Sequence, residues 1–375
     1  MEPLTHFFTG ACMGRAGLNR KTAYATLAAT LAAEAADLDI FWGLGGPVEG
    51  LKHHRGFTHT FLGVPVVAAV IVGLIWLLHR WLEGRRTRRR EAANLSPGEP
   101  IPVRLQPRAV HWGWLSLTAF LAALSHILLD WTNNYGVRPF FPFNPRWYYG
   151  DLVFIVEPVL WALFLLALVL PWLFGLTDRE IGVRKVKFRG RGWAIFALAG
   201  MVALWIWRWA EHTQAWAMLE NTQLTTEPVT RMALQPYPIN PFRWHAILET
   251  PSFYQTAEVN THGAIDSDAQ NDVIFKPENT PAVEAAKRTF LGQVYLDWGT
   301  WAVVRDMGQE PIEGVDPPPM PANRKWTTVE FTDLRFAYAF TRSGRARPPS
   351  GLSGWVYVID DREEGGEGMD GREQK

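Results

Sequence analysis

From Phe57 to His79 the chain contains no Asp, Glu, Lys or Arg, and nearly every residue is Val, Ile, Leu, Ala, Gly or Trp. A run of this kind matches the roughly 20 apolar residues that cross the hydrocarbon of a bilayer. Lipid offers no partner for backbone N–H and C=O groups, so an unbroken apolar run must satisfy them internally as a helix. Three further stretches read as spans: Val110 to Asp130, Leu152 to Leu176 with Pro158 and Pro171, and the shorter, tryptophan-rich Trp193 to Trp209. Thr22 to Phe41 is a fifth candidate, Ala-rich and less apolar, and it ends in Glu34, Asp37 and Asp39. The composition agrees, with 20% charged residues and 19 tryptophans, a residue that favours membrane boundaries. The expected fold is a mainly α membrane domain, a polytopic helical bundle.

The basic loops orient it. "RWLEGRRTRRR" holds six arginines and "DREIGVRKVKFRGR" holds six Lys or Arg. Short positive loops stay on the cytoplasmic side. Arg15, Arg20 and Lys21 place the start of the Thr22 segment there too. Alternation then puts 43–58, 131–151 and everything after Trp209 on the outer, periplasmic face of a multi-pass inner-membrane protein. "LTHFFTGACMGRAGL" is too short for an untilted span and fits either a short re-entrant helix or an inner-surface segment. The first 20 residues lack a basic n-region, an h-region and a cleavage site, so no cleavable leader is expected.

Past Glu211 apolar runs shorten, Pro and Gly increase, and "TTVEFTDLRFAYAF" and "GWVYVIDD" cluster β-formers as strands do. The organisation expected is a membrane domain over 1–210, a C-terminal extramembrane domain containing β-strands over 211–360, and a polar, disordered tail over 361–375. The Arg85 to Arg108 link reads as a loop. A formal net charge of zero argues against a nucleic-acid partner. A single cysteine, Cys12, excludes an intramolecular disulfide and any multi-cysteine metal site.

The topology carries distant chemistry into one layer. "EAADLD" ends one helix at the outer face, "HHRGFTH" precedes the next, "HILLD" ends the third, and Asp151 opens the fourth. His126 and Asp130 are i and i+4 on a helix, so they share one side and can grip one ion. His54 and His59 lie across Gly56, which permits a turn. Asp37 and Asp39 flank Leu38 and face one way on an extended turn. Neutral imidazole suits zinc or iron, and carboxylate suits harder ions such as manganese. The set His54, His59, His126 and Asp130, with Asp37 and Asp39 beside them, is sized for one or two divalent ions, zinc or manganese. Charges near lipid are costly and normally pair or bind something.

Arg55 beside this set suits an anionic group, or alternatively pairs with Asp37 or Asp39. Glu157, inside a predicted span, suits a supporting partner or a proton acceptor. Asn240, Arg243 and Trp244 in "YPINPFRWH" fit an anion and aromatic contact, or a well-packed turn. His79, His111 and His212 read as ordinary interfacial histidines. "GLGGPVEG" lacks the Lys-Ser/Thr of a phosphate loop, and no Gly-x-Ser-x-Gly surrounds any serine.

"THFFTGACMG" at Thr5, "EAADLD" ending at Asp39, "HHRGFTHTF" at His53 and "HILLDWTNNYG" at His126 together resemble the YdjM-like family of membrane-bound metal-dependent hydrolases. The likeness covers roughly 1–260, including "NPFRWH" at Asn240, and does not extend to the last 110 or so residues. It implies a polytopic inner-membrane protein with a divalent-metal centre whose ligands fall on His6, Asp37 or Asp39, His54, His59, His126 and Asp130. Two departures are mild: Ala36 stands where proline often precedes the aspartates, and Thr60 where serine is common.

The expected function is metal-dependent hydrolysis at the outer membrane-water boundary. Metal-activated water would act on a phosphoester or lipid-linked substrate, with Asp151 orienting or deprotonating that water and Arg55 neutralising developing charge. The expected partners are membrane lipid and an amphiphilic or phosphorylated substrate. A transporter or metal-handling protein is the first alternative. It would want polar groups spread along the helices, whereas here they gather at one face. A scaffold with a structural metal, its outer domain binding a protein, is the second.

Overall fold

The computed structural model describes residues 1–92, 109–180, 190–268, 272–321, 323–338, 352–369 and 372–373. The chain divides into two compact units. The first comprises Met1–Leu38, Phe57–Tyr149 and Ile155–Ile206; the second comprises Asp39–Gly56, Gly150–Phe154 and Trp207–Lys375.

The helices, in chain order, begin with α1 (Pro3–Met13), the short α2 (Asn19–Lys21) and α3 (Ala25–Glu34). They continue with α4 (Pro47–His53), α5 (Gly63–Ala92), α6 (Trp112–Trp131), α7 (Pro158–Glu180) and α8 (Arg191–Glu220). Among the described residues, four stretches are long and apolar enough to cross a membrane: Gly63–Arg88, Trp112–Trp131, Pro158–Thr177 and Arg191–Glu220. On α5, Val66, Val70, Leu74 and Leu77 are exposed, while Val64, Ala68, Ile71 and Ile75 are buried. One face therefore meets protein and the other is left for lipid.

Thr22 to Phe41 is not one of these four long helices but is made of two shorter elements. Its α-helix is 10 residues, after which the chain tightens into a 3-10 run, Ala35–Gly45. Ten α-helical residues rise ~15 Å, and the 3-10 residues up to Phe41 add about 14 Å. The alanines serve close packing. Ala28, Ala29, Ala32 and Ala33 are fully buried, in a core shared with Leu115, Ala119, Ala122 and Ile127 of α6. α1 approaches α3 at backbone contact: a Cβ on Gly10 would stand 2.5 Å from the Ala29 carbonyl oxygen. The Arg85 to Arg108 link is helical up to Ala92, and 93–108 lie outside the described residues. So does most of the second basic loop, 181–189.

In the second unit α8 runs on past Trp209, because Ala215 and Leu219 bury against Leu234, Trp244 and Ala246. Strands β1 (Arg231–Pro236), β2 (Arg243–Glu249), β3 (Phe253–Asn260), β4 (Ile265–Asp266) and β5 (Val273–Phe275) form one antiparallel sheet, ordered β1-β2-β3-β4 with β5 also on β3. After α9 (Pro281–Arg288) and α10 (Phe290–Trp298), strands β6 (Ala302–Asp306), β7 (Trp326–Asp333), β8 (Gly354–Ile359), β9 (Glu363–Met369) and β10 (Arg372–Glu373) form a second, ordered β10-β9-β8-β7-β6. α4 packs against α10 and β9.

Of the two β-rich sequences, "TTVEFTD" lies in β7 before a 3-10 turn over Leu334–Phe336, 339–340 lie outside the described residues, and "GWVYVI" is β8. The polar tail expected to be disordered contributes β9 and β10. Its side chains supply little hydrophobic drive, but β8 offers a ladder from Gly354 to Ile359 for β9 to complete. Buried Glu367 also accepts the Leu291 N–H at 2.8 Å, at the start of α10.

Candidate metal centre

Three buried stretches of the first unit meet at one point. Asp37 sits in the 3-10 run that follows α3, His59 in the tight turn before α5, and His126 and Asp130 on the last turns of α6. Asp37 is 8% exposed and the other three are fully buried. One ligand atom from each lies within 4.8 Å of every other.

His59 Nε2 is 3.0 Å from His126 Nε2 and 3.2 Å from Asp37 Oδ1. His126 Nε2 is 3.5 Å from the same Asp37 oxygen, and both Nε2 atoms are 3.4 Å from Asp130 Oδ2. Donors bound at ~2.0–2.1 Å around a tetrahedral ion stand about 3.3 Å apart. These five separations, 3.0 to 3.5 Å, bracket that edge, so the donor set is able to hold one divalent cation.

Hydrogen bonding assigns the imidazole tautomers. His126 Nδ1 donates to the Ala33 carbonyl at 2.6 Å, which leaves its Nε2 lone pair for the centre. The Thr58 hydroxyl donates to the Ala36 carbonyl at 3.1 Å, so its oxygen accepts from His59 Nδ1 at 3.2 Å. Outer partners of this kind hold ligating histidines in register. Neither was expected. Thr58 stands next to His59 in sequence, but its bond to Ala36 and the Ala33 carbonyl are tertiary facts that no local pattern carries.

His6, on α1, stacks on His126 with ring centroids 3.7 Å apart, and its Nε2 is 3.4 Å from Asp130 Oδ1. The same oxygen meets the N-terminal ammonium of Met1. His6 therefore borders the four-donor group.

Asp39 and His54 pair with one another in the second unit, Oδ1 to Nδ1 at 3.0 Å, and the Arg55 N–H donates to Asp39 Oδ2 at 2.8 Å. Arg55 holds a positive φ of 56° with its side chain buried. Asp151 also has a left-handed backbone, φ 52°. Burial pushes its carboxyl up to about 7, opposed by the Arg335 charge and a hydrogen bond from Gln235. Glu157 is buried at the start of α7, where its Oε1 accepts the Val159 N–H at 3.5 Å and its carbonyl the Leu160 N–H at 3.0 Å. That is the geometry of a helix cap. Of the 240–245 stretch, Asn240 closes a turn on the Phe242 N–H, Arg243 pairs with Glu258 at 2.7 Å, and Trp244 is core.

Comparison with known proteins bears on this geometry. Residues 1–215 match the model of the YdjM inner membrane protein family, and they contain every member of the four-donor group. The uncharacterized protein YfhP of Bacillus subtilis (strain 168) is 24% identical over 184 residues, 47% of this chain and 47% of that protein. The matched region thus spans about half the length of that relative. No solved structure matches. With more than half its length in the family match and four bilayer-length helices, the chain belongs to the YdjM family and is a multi-pass inner-membrane protein carrying a buried His/Asp group able to hold a divalent metal.

Proposed function

We propose that the protein is a metal-dependent hydrolase acting at the outer, periplasmic boundary of the inner membrane on a phosphoester or lipid-linked substrate. The observation that carries this reading is the convergence of His59 Nε2, His126 Nε2, Asp37 Oδ1 and Asp130 Oδ2, with each imidazole nitrogen 3.0 to 3.5 Å from the other and from both carboxylate oxygens. A divalent ion held there, zinc or manganese, would supply Lewis acidity and lower the pKa of bound water. The protein's own part is orientation. The Ala33 carbonyl and the Thr58 hydroxyl fix which imidazole nitrogens face inward, and the 3-10 run holds Asp37 against both rings. His6, stacked on His126 and within reach of Asp130 Oδ1, is placed to hold a proton beside the group. The outer-face assignment follows from the two basic loops and is tested by reporter fusions, with Leu176 reading cytoplasmic and Asn221 periplasmic.

Elemental analysis of the purified protein, followed by a screen of phosphoester and lipid substrates on the same preparation, tests the whole proposal. It expects bound divalent metal and turnover that a chelator abolishes. Metal-free protein, or turnover indifferent to chelation, would overturn it. The burial of all four donors favours one other reading, a closed structural metal. Metal exchange separates the two, since a catalytic site keeps an open position.

A further inference from the structure

After α6 ends at Trp131 the first unit continues to Tyr149 in a loop that is firmly braced, yet holds its tip residue outward. Val137 and Tyr148 exchange backbone hydrogen bonds, each at 2.9 Å. The Asn144 N–H donates to the Phe140 carbonyl at 3.0 Å, and the Arg146 N–H donates to Asn144 Oδ1 at 3.0 Å. Arg138, nearly buried, lies 4.5 Å from the centre of the Trp147 ring. On this frame Phe143 is 86% exposed, between exposed Pro142 and Pro145. Phe140 is 41% exposed, and its ring meets Phe61, whose neighbour Leu62 is 48% exposed. A lone exposed hydrophobic residue is ordinary, but these side chains continue one another and form an apolar patch that needs an occupant.

We propose that the loop 139–146 is a membrane anchor at headgroup level, with Phe143 among the upper acyl chains and Arg146 on a lipid phosphate. Two observations name lipid as the occupant. The first is position within the unit that holds the spans. The Phe61 N–H, just before α5 starts at Gly63, donates to the Pro139 carbonyl at 2.9 Å. The Phe140 ring stands edge-on to Trp131, the last residue of α6, at 6.2 Å. The loop therefore lies where one bilayer-length helix begins and another ends. The second is chemistry. From 132 to 149 the chain is rich in Phe, Tyr and Trp and has no Asp or Glu. Its only Lys or Arg residues are Arg138 and Arg146. Aromatic rings favour the headgroup boundary, and anionic lipid surfaces attract arginine. Arg146 is exposed, lies 5.6 Å from the centre of the Tyr148 ring, and has no carboxylate in the loop to pair with. A guanidinium so placed suits the oxygens of a phosphate.

Site-directed spin labelling tests it on the full chain. Phe143→Cys and Arg146→Cys are labelled singly, with Val70→Cys on the exposed face of α5 as the lipid reference. The proteins are reconstituted in vesicles of phosphatidylethanolamine and phosphatidylglycerol, and the unsubstituted chain, with buried Cys12, sets the background. Relaxation by oxygen, by a water-soluble nickel chelate and by nickel carried on a lipid headgroup is compared at each position. At 143, as at 70, oxygen is expected to exceed the soluble chelate several-fold; at 146 the headgroup-borne nickel should be the most effective. A soluble chelate that outweighs oxygen at 143 would overturn the anchor and return the loop to water. Low access to all three reagents at 143 would overturn it in favour of a protein cover, such as a second copy. A soluble chelate that outweighs the headgroup nickel at 146 would remove the phosphate contact. None of the labelled positions belongs to the four-donor group, so the outcome is separate from the hydrolase reading.

Discussion

Two of the buried carboxylate clusters among the described residues differ in what faces the charge. In the first unit, Asp37 and Asp130 look onto imidazole nitrogens whose other ring nitrogens are already engaged by Ala33 and Thr58. In the second, Asp333 is gripped by Arg335 through two bonds, Nε to Oδ1 at 3.0 Å and Nη2 to Oδ2 at 2.9 Å. Asp333 also accepts the Arg335 N–H at 2.9 Å and the Trp301 N–H at 3.4 Å. The guanidinium lies 4.7 Å from the centre of the Trp298 ring and donates to the Trp298 carbonyl. Burial and charge are common to both, so neither marks a functional site. The distinction lies in valence. A carboxylate matched by guanidinium is complete, whereas lone pairs aimed at a common point can hold a cation.

That contrast can be broken at several places. Removing a ligand should have the largest effect. Structural zinc binding is worth about 10–16 kcal/mol, so one of four ligands accounts for roughly a hundredfold to a thousandfold in affinity. His126→Ala or Asp130→Ala is therefore expected to strip metal, as read by elemental analysis, while the protein still inserts in the membrane. Unchanged metal in both would remove the centre. Asp333→Ala leaves a buried guanidinium unpaired and should destabilise the second unit by about 3 kcal/mol. Thermal unfolding in detergent would show this with metal content intact; parallel loss of metal would show that the clusters are not independent.

Smaller effects sharpen the comparison. Thr58→Val deletes the acceptor for His59 Nδ1 and should weaken metal binding about tenfold to a hundredfold. Equal affinity would show that this hydroxyl does not orient the ring. Asp151 has a folded-state pKa raised to about 7, so between its unfolded value and 7 the folded state binds the extra proton. Its contribution is therefore fully present at acid pH and is lost as pH rises through 7. Asp151→Asn should stabilise the protein at pH 8 by about 1–2 kcal/mol, with the advantage shrinking at pH 5. A pH-independent difference would contradict this. Least affected should be metal content in Asp39→Asn, whose carboxylate is engaged by His54 and the Arg55 N–H. A loss as large as that of Asp37→Asn would add Asp39 to the ligands.

Much of this was legible in the residues. The four bilayer-length helices follow from apolar runs, and the pairing of His126 with Asp130 follows from helical spacing, because both depend on local periodicity. The meeting of α6 with the His59 turn follows from alternation of spans across the membrane. What escaped depends on contacts at long range. Nothing in "EAADLD" tells that Asp37 and Asp39 engage different histidines, since the 3-10 winding that separates them is set by tertiary packing. The strands Glu363–Met369 and Arg372–Glu373 were equally hidden. Glu363–Met369 is poor in hydrophobic residues and gains its order from the edge that β8 provides. The shortness of α3 was disguised by its alanines, which serve a tight helix contact as readily as a span.

That contact has a reach of its own. His6 and Gly10 lie one turn apart on α1, and at Gly10 the two helices leave no room even for a methyl group. The missing side chain works as a spacer of zero thickness, setting how near the imidazole one turn away comes to its neighbours. Bulk introduced at a position that ligates nothing would lift that ring off its stack, so the tolerance of the chemistry is written partly in a residue with no chemistry to offer.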